Sequence, residues 1–368
     1  MKERLVTLAT DHYTSAEILK AKLEDAGIEC FLKNVNLLQG AVSEGVKLQI
    51  KESDVEKALR IITNMKAEQE RKEKKDIKKL RRVLVPVDFS EFSENACLYA
   101  LELAKKYDAD LKILHVFYAP IVDLVPITDA YSIQVDMDIN LRELENQAKE
   151  KLTEFVARIK KTASEKGMGD IKISYSLREG IVEDEVASMA AAYKPGIIVM
   201  GTKGKGEKQS DIIGSVVYRV LDKTRVPVLA IPEKTKPSSF NDVNNIVYAT
   251  RFDDSDYVAI RRLLSIVTAL NVKIFCVHVS KDAEDNLLNS KMNSLKDYFK
   301  RIHEKIQIET HFLKGDDQVA NLEKFCEQHK IDIISLSSKK RSLLQRLFKS
   351  GLTKKLISNS SIPLLLFK

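Results

Sequence analysis

The sequence has little cysteine, no long apolar run and no broad excess of one charge, and each shortage removes a class of function. Its four cysteines, Cys30, Cys97, Cys276 and Cys326, include no C-x-x-C pair. That spacing argues against a zinc site or a redox motif and predicts buried free thiols. No stretch reaches the roughly 20 apolar residues of a membrane span. The opening Met1-Lys2-Glu3-Arg4 leads into no apolar core of a signal peptide. The expectation is a cytoplasmic protein with no membrane span. The formal net charge of +7 is concentrated, because Lys66 to Arg82 holds nine basic and four acidic side chains, +5 of the excess. The rest is close to neutral, so no nucleic acid is expected as a partner. No nucleophile stands beside a base and no set of metal ligands has diagnostic spacing. Catalysis beyond slow phosphate hydrolysis therefore has no residues to carry it.

What the sequence does have is a run of β-branched residues that empties into a glycine loop. Ile197-Ile198-Val199-Met200 is followed by Gly201-Thr202-Lys203-Gly204 and, after nine residues, by Gly214-Ser215. An apolar-periodic segment with Val216, Val217, Val220 and Leu221 comes next, so the stretch reads as strand, loop and helix. Glycines let backbone approach a ligand, and the free N–H groups at a helix start, with the Ser215 hydroxyl beside them, favour an anion. A Walker A loop is excluded, since Glu207-Lys208 follows Gly206 where Lys and then Ser or Thr are required. A glycine-rich turn without a ligand is the competing reading.

In chain order, residues 1–65 read as a small β-α-β-β-α unit, with helices over Ser15 to Ala26 and Asp54 to Met65. Gly27 closes the first helix, and Asp11, beside His12, reads as a helix-entry residue. Residues 66–80 form a charged helical linker. A first alternating unit occupies 81–235. It opens on the strand Val83 to Val87 and a helix capped by Ser90, and its long charged helix starts near Leu141. A second unit, 244–368, repeats it. Ile246 to Thr250 answers Val83 to Val87, and Ile274 to Val279 answers Leu111 to Val116 plus its flank, both at an offset of 163 residues. Ile333 to Leu336 answers Ile197 to Met200 at an offset of 136, and Gly315 answers Gly180. His115 and His278 fall at one position inside apolar strands and read as satisfied core histidines. Glu179, Glu183, Asp184 and Glu185 read as an acidic helix start, with metal binding the rarer alternative.

The G-x-x-G-x(9)-G-S spacing, together with Asp88 at the end of the first strand, resembles the universal stress protein family over about residues 80–368. The first 65 residues resemble small bacterial signal-transducing domains. The resemblance implies an α/β fold of two tandem doubly wound, parallel-sheet domains, Rossmann-like and adenine nucleotide alpha hydrolase-like, with strand order 3-2-1-4-5. A small α+β ferredoxin-like domain would precede them. In the first repeat it implies that Pro86, Val87 and Asp88 line the adenosine end and that Val116 and Met200 touch the base. Gly201, Lys203, Gly204, Gly214, Ser215 and Val216 would hold ribose and phosphates. Val87 departs from the family, where a hydroxyl residue is common. The implied ligand is ATP or another adenine nucleotide, ADP or AMP, with or without Mg.

The second repeat reads as degenerate, with Arg251, Ser337, Lys340, Ser350 and Gly351 at the positions of Asp88, Gly201, Gly204, Gly214 and Ser215. Its basic amphipathic stretch, Lys339 to Lys355, reads as a solvated helix with its apolar side on the core. The final strands, Val226 to Ile231 and Ile362 to Phe367, are expected to pair with each other in an intramolecular pseudo-dimer. A further homo-oligomer and a protein partner of unknown identity stay open. The implied function is a stress or signalling protein that acts by nucleotide-dependent conformation or partner binding. A nucleotide-free scaffold and a slow ATP hydrolase are the alternatives.

Overall fold

A computed structural model of the chain describes residues 5–11, 13–34, 46–62, 80–118, 130–202, 215–250, 254–280, 292–293, 295–297, 299, 306–315, 318–337 and 361–368. The chain divides into two compact units, Met1–Asp76 and Ile77–Lys368. In the first, β1 (Leu5–Asp11), α1 (Tyr13–Asp25), β2 (Cys30–Asn34) and β3 (Val46–Lys51) are followed by a helix over residues 55–62 (α2). The strands form an antiparallel sheet in the order β1-β3-β2. Leu48 and Ile50 on the middle strand, with Cys30, Leu23, Ile28 and Ala58, make a small closed core. Gly27, at φ +76°, ends α1 as glycine does in a Schellman motif. Its N–H donates to Glu24 O at 2.8 Å and that of Ile28 to Leu23 O at 2.9 Å. A full ferredoxin-like βαββαβ unit has a fourth strand, which has no counterpart among the described residues. Asp11 is the last residue of β1, not a helix-entry residue, and His12 lies outside the described residues.

The second unit is built on one ten-stranded sheet. Its first half comprises β4 (Arg82–Val87), α3 (Glu91–Tyr107), β5 (Asp110–Phe117), α4 (Ala130–Glu165), β6 (Ile173–Glu179), α5 (Val182–Tyr193), β7 (Ile197–Gly201), α6 (Ser215–Lys223) and β8 (Val228–Ile231). The second half comprises β9 (Asn245–Ala249), α7 (Asp254–Val267), β10 (Lys273–Ser280), β11 (Gln307–Lys314), the helix Gln318–Gln328, β12 (Ile333–Ser337) and β13 (Leu364–Phe367). The order is β11-β10-β9-β12-β13-β8-β7-β4-β5-β6, which is 3-2-1-4-5 in each half, joined through the fifth strands.

Alternation along the strands divides the apolar residues between two faces. Val83, Val85, Val199, Leu229, Tyr248, Cys276 and Leu365 lie on the face covered by α3, α4 and α7. Leu84, Ile198, Met200, Val228, Val247, Phe275 and Leu364 lie on the other, under α5, α6 and the helix Gln318–Gln328. Both cores run through the two repeats without a break. All four cysteines are buried free thiols.

Two features depart from the sequence reading, and a third lies where it was silent. Helix α4 starts at Ala130, well before Leu141, and runs 36 residues; with no glycine or proline between Ala130 and Glu165, nothing stops the helix once nucleated. Leu80, assigned to the linker, is buried 2.4 Å from where a Cβ on Gly196 would sit, so the folded unit includes it. The connection between repeats is a packed strap. Its 3-10 turn, Pro237–Asp242, buries Phe240 edge-on against Tyr99 at 5.7 Å between ring centres. The Asn95 amide donates to carbonyl oxygens of the strap, nearest Thr235 O at 2.9 Å, and Thr235 Oγ1 donates to Ser361 O at 2.7 Å.

The two repeats close on each other as the sequence reading expects. Strands β8 and β13 pair antiparallel, with Leu364 opposite Ala230, Leu365 opposite Leu229 and Leu366 opposite Val228. Tyr107 at the end of α3 donates its hydroxyl to the Ile266 carbonyl of α7. The pair is an intramolecular pseudo-dimer whose apolar edge strands satisfy each other's backbone groups.

Candidate functional site

In each half the direction of wrapping reverses between the first and fourth strands, and in open α/β sheets ligands sit in the crevice beyond those carboxyl ends. In the first repeat these are the ends of β4 and β7, adjacent in the sheet. The backbone beyond β4 folds on itself. Asp88 Oδ1 accepts from the Ser90 N–H at 3.1 Å and from Ser90 Oγ at 2.5 Å, an Asx turn. Ser90 then caps α3, its Oγ accepting from the Ser93 N–H at 3.2 Å. Between them Phe89 takes the left-handed φ of +62°. For a bulky side chain that is strained, and the strain is held by packing: Phe89 lies 4.1 Å from the His115 ring and 5.8 Å from Phe155, centre to centre.

His115 fixes the strand end from the other side. Its Nδ1 lies 2.8 Å from Val87 O, and a carbonyl only accepts, so the proton is on Nδ1 and Nε2 is left as an acceptor. Burial pushes its pKa below the usual histidine range, against the opposing pull of the Val87 carbonyl and the Asp88 carboxylate; the Lys151 ammonium adds to the lowering. His278 makes the equivalent contact to Thr250 O at 2.9 Å. Both histidines are half-buried and partnered.

Gly201 has a structural cause that the sequence reading missed. A Cβ there would stand 2.9 Å from the backbone of Phe92, so the first turn of α3 already demands glycine before any ligand does. Met200 is buried in the apolar cluster on the α5–α6 side of the sheet, and Val116 and Val216 are partly buried against that cluster. Ser215 opens α6 and is exposed. Pro86 and Val87 are buried at the end of β4. Lys203, Gly204 and Gly214 lie outside the described residues. The acidic cluster joins two helices, with Glu183 2.8 Å from Arg219 and Asp184 paired to Lys223. Among the described residues no three His, Cys, Asp or Glu side chains converge as a metal site would require.

The second repeat differs at the same place. Tyr248 and Thr250, at the positions of Val85 and Val87, donate to Asp256, at 2.6 Å to Oδ1 and 2.7 Å to Oδ2. Thr250 thus carries the hydroxyl that Val87 lacks but directs it to a buried carboxylate of its own repeat. Ser337, in place of Gly201, is buried. Arg251, Lys340, Ser350 and Gly351 lie outside the described residues, as does the stretch Lys339 to Lys355.

Residues 79–232 and 243–368 each match the universal stress protein family. The chain belongs to that family. Residues 6–66 match a family described as "Putative prokaryotic signal transducing protein". Universal stress protein MJ0531 of Methanocaldococcus jannaschii is 29% identical over 156 residues, 42% of this chain and 84% of that protein. Universal stress protein Slr1230 of Synechocystis is 20% identical over 301 residues, 78% of this chain and its own full length. Among solved structures, a universal stress protein from Archaeoglobus fulgidus superposes with a TM-score of 0.57 at 20% identity, covering 79% of this chain and 97% of that one. That last likeness speaks for the fold of the universal stress protein tandem. No helix among the described residues is long and apolar enough to cross a membrane.

Proposed function

We propose that the first repeat of this universal stress protein binds one adenine nucleotide, ATP, ADP or AMP, and acts in stress response or signalling through a nucleotide-dependent change of conformation or partner. The observation that carries this reading is the Asp88 turn at the end of β4, beside β7, where the direction of wrapping reverses. Asp88 is a carboxylate acceptor for ribose hydroxyls or the adenine amino group. Val116 and Met200 offer an apolar wall to the base. Gly201, Lys203, Gly204, Gly214, Ser215 and Val216 follow the family spacing for ribose and phosphate, with a lysine to pair with phosphate charge; with ATP, any Mg would ride on the phosphate oxygens.

Titration calorimetry tests the reading. Binding of one nucleotide per chain at micromolar affinity, about −8 kcal/mol, is expected. Gly204→Lys, which copies the second repeat's own residue, should abolish it while the fold persists. Absence of heat with ATP, ADP and AMP up to millimolar ligand would refute nucleotide binding.

Turnover is a separate matter. With no base or metal cluster in the motif, we expect a steady-state phosphate-release assay to give at most a few turnovers per hour. A rate near the enzyme median of about 10 per second would refute the binding-module reading.

A further inference from the structure

Strands β7 and β8 leave the sheet side by side at the carboxyl end of the first repeat, and a backbone bond ties their exits. Gly201 stands opposite Ile231, and the Thr202 N–H donates to Ile231 O at 3.0 Å. Thr202 is buried and opens the loop that carries Lys203, Gly204 and Gly214, while Ile231 runs directly into the strap at Pro232. The root of the glycine loop and the start of the strap are thus fastened to each other.

Helix α3 holds both from one side. The backbone of Phe92, in its first turn, stands against Gly201, and one turn further Asn95 reaches the strap. Asn95 Nδ2 lies 3.2 Å from Pro232 O, 3.2 Å from Glu233 O and 2.9 Å from Thr235 O. All three partners are carbonyl oxygens, which only accept, so the amide turns its two N–H groups to the strap and shares them among three acceptors. These carbonyls lie beyond the last residue of β8, where no sheet ladder pairs them. Thr235, itself buried, carries the tie onward by donating Oγ1 to Ser361 O of the second repeat at 2.7 Å.

We propose that Asn95 is a positioning residue of the nucleotide site: its amide pins the strap to α3 and, through the bond from Thr202 to Ile231, fixes the root of the glycine loop. The effect on binding rests on the adenine-nucleotide reading, whereas the hold on the loop root does not. A loop fixed before the ligand arrives loses less freedom on binding, so the clasp raises affinity without touching the ligand. The adenosine end has its own supports. Asp88 and the Ser90 cap lie before Asn95 on the chain and keep their hydrogen bonds without it. Loss of the amide should therefore be felt at the phosphates.

The test is Asn95→Val in the full chain. Valine is tolerated at this place in the fold, because Val258 occupies the matching position of α7, at the offset of 163 residues, and is 43% exposed there. Hydrogen exchange of the Thr202 amide should speed up at least tenfold, since the carbonyl it donates to is no longer held. ATP affinity by titration calorimetry should fall at least fivefold, while adenosine affinity, read by ligand-observed NMR, stays within twofold. Unchanged ATP affinity would overturn the proposal. So would an equal fall for ATP and adenosine, which would make Asn95 a residue of general stability, and so would a loss of ATP affinity with unchanged exchange at Thr202. If Asn95→Val fails to fold, Asn95→Ser, which keeps one short donor, is held to the same outcomes. If the parent chain binds no nucleotide, the functional half falls with the nucleotide reading, and exchange at Thr202 alone decides whether Asn95 holds the loop root.

Discussion

His115 has one ring nitrogen held by the Val87 carbonyl and its ring packed on Phe89, whose backbone is strained. Protonation would put a charge into this half-buried place, and burial lowers its pKa accordingly. The unfolded chain, with an ordinary histidine near 6.5, takes up the proton first as pH falls. The unfolded state then binds more protons than the native one, so the stability from this residue is present above about pH 6.5 and is lost as pH falls below it, until the folded form titrates too. We expect urea midpoints to decline from about pH 6.5 to pH 5 and His115→Phe to flatten that decline. An unchanged slope in the variant would show that other groups carry it. Gly201 belongs to the same scale. Its spacing was legible as a loop signal, but the packing of Phe92 against it was not, because the two lie more than 100 residues apart in sequence.

At the scale of elements, the strands of both repeats except β11 were readable from β-branched runs, and the capped start of α3 from Ser90. The length of α4 was not, since Tyr131, Ile133, Val135, Met137 and Ile139 alternate at the two-residue period of a strand, and only the lack of a breaker lets the helix include them. The pairing of β8 with β13 removes the two most apolar edges of the molecule and leaves β6 and β11 as the outer strands. A scaffold working through its sheet edges would have to use those. Cutting the chain near residue 236 should expose the fully buried strand Val228–Ile231 together with Tyr99 and Tyr107. Light scattering should then report dimers or aggregate. A stable monomer with unchanged nucleotide affinity would show that the second repeat does not serve as a cover for that edge.

At the scale of the molecule, the tandem shares two continuous cores, whereas the first unit closes a small one of its own. We therefore expect calorimetry to show one small transition for Met1–Asp76 and one large cooperative transition for Ile77–Lys368. From typical specific enthalpies these are about 50 and about 200 kcal/mol near 60 °C. Separate transitions for the two repeats would show that the junction of β8, β13 and the Phe240 strap contributes less than its burial implies.

Residue order alone was enough to establish the repeat, the alternation of strand and helix, the placement of Asp88 and Gly201 at strand ends, and the loss of matching residues in the second copy. These are local properties, written in the side chains of one segment at a time. Folding settled what depends on a partner strand or helix far along the chain: which nitrogen of His115 carries the proton, why Gly201 must be glycine, and how the connection packs. Pro86 stands at the border between the two. Its missing N–H is visible in the sequence, but that the missing donor faces β7 follows only from the direction of the backbone in the folded sheet.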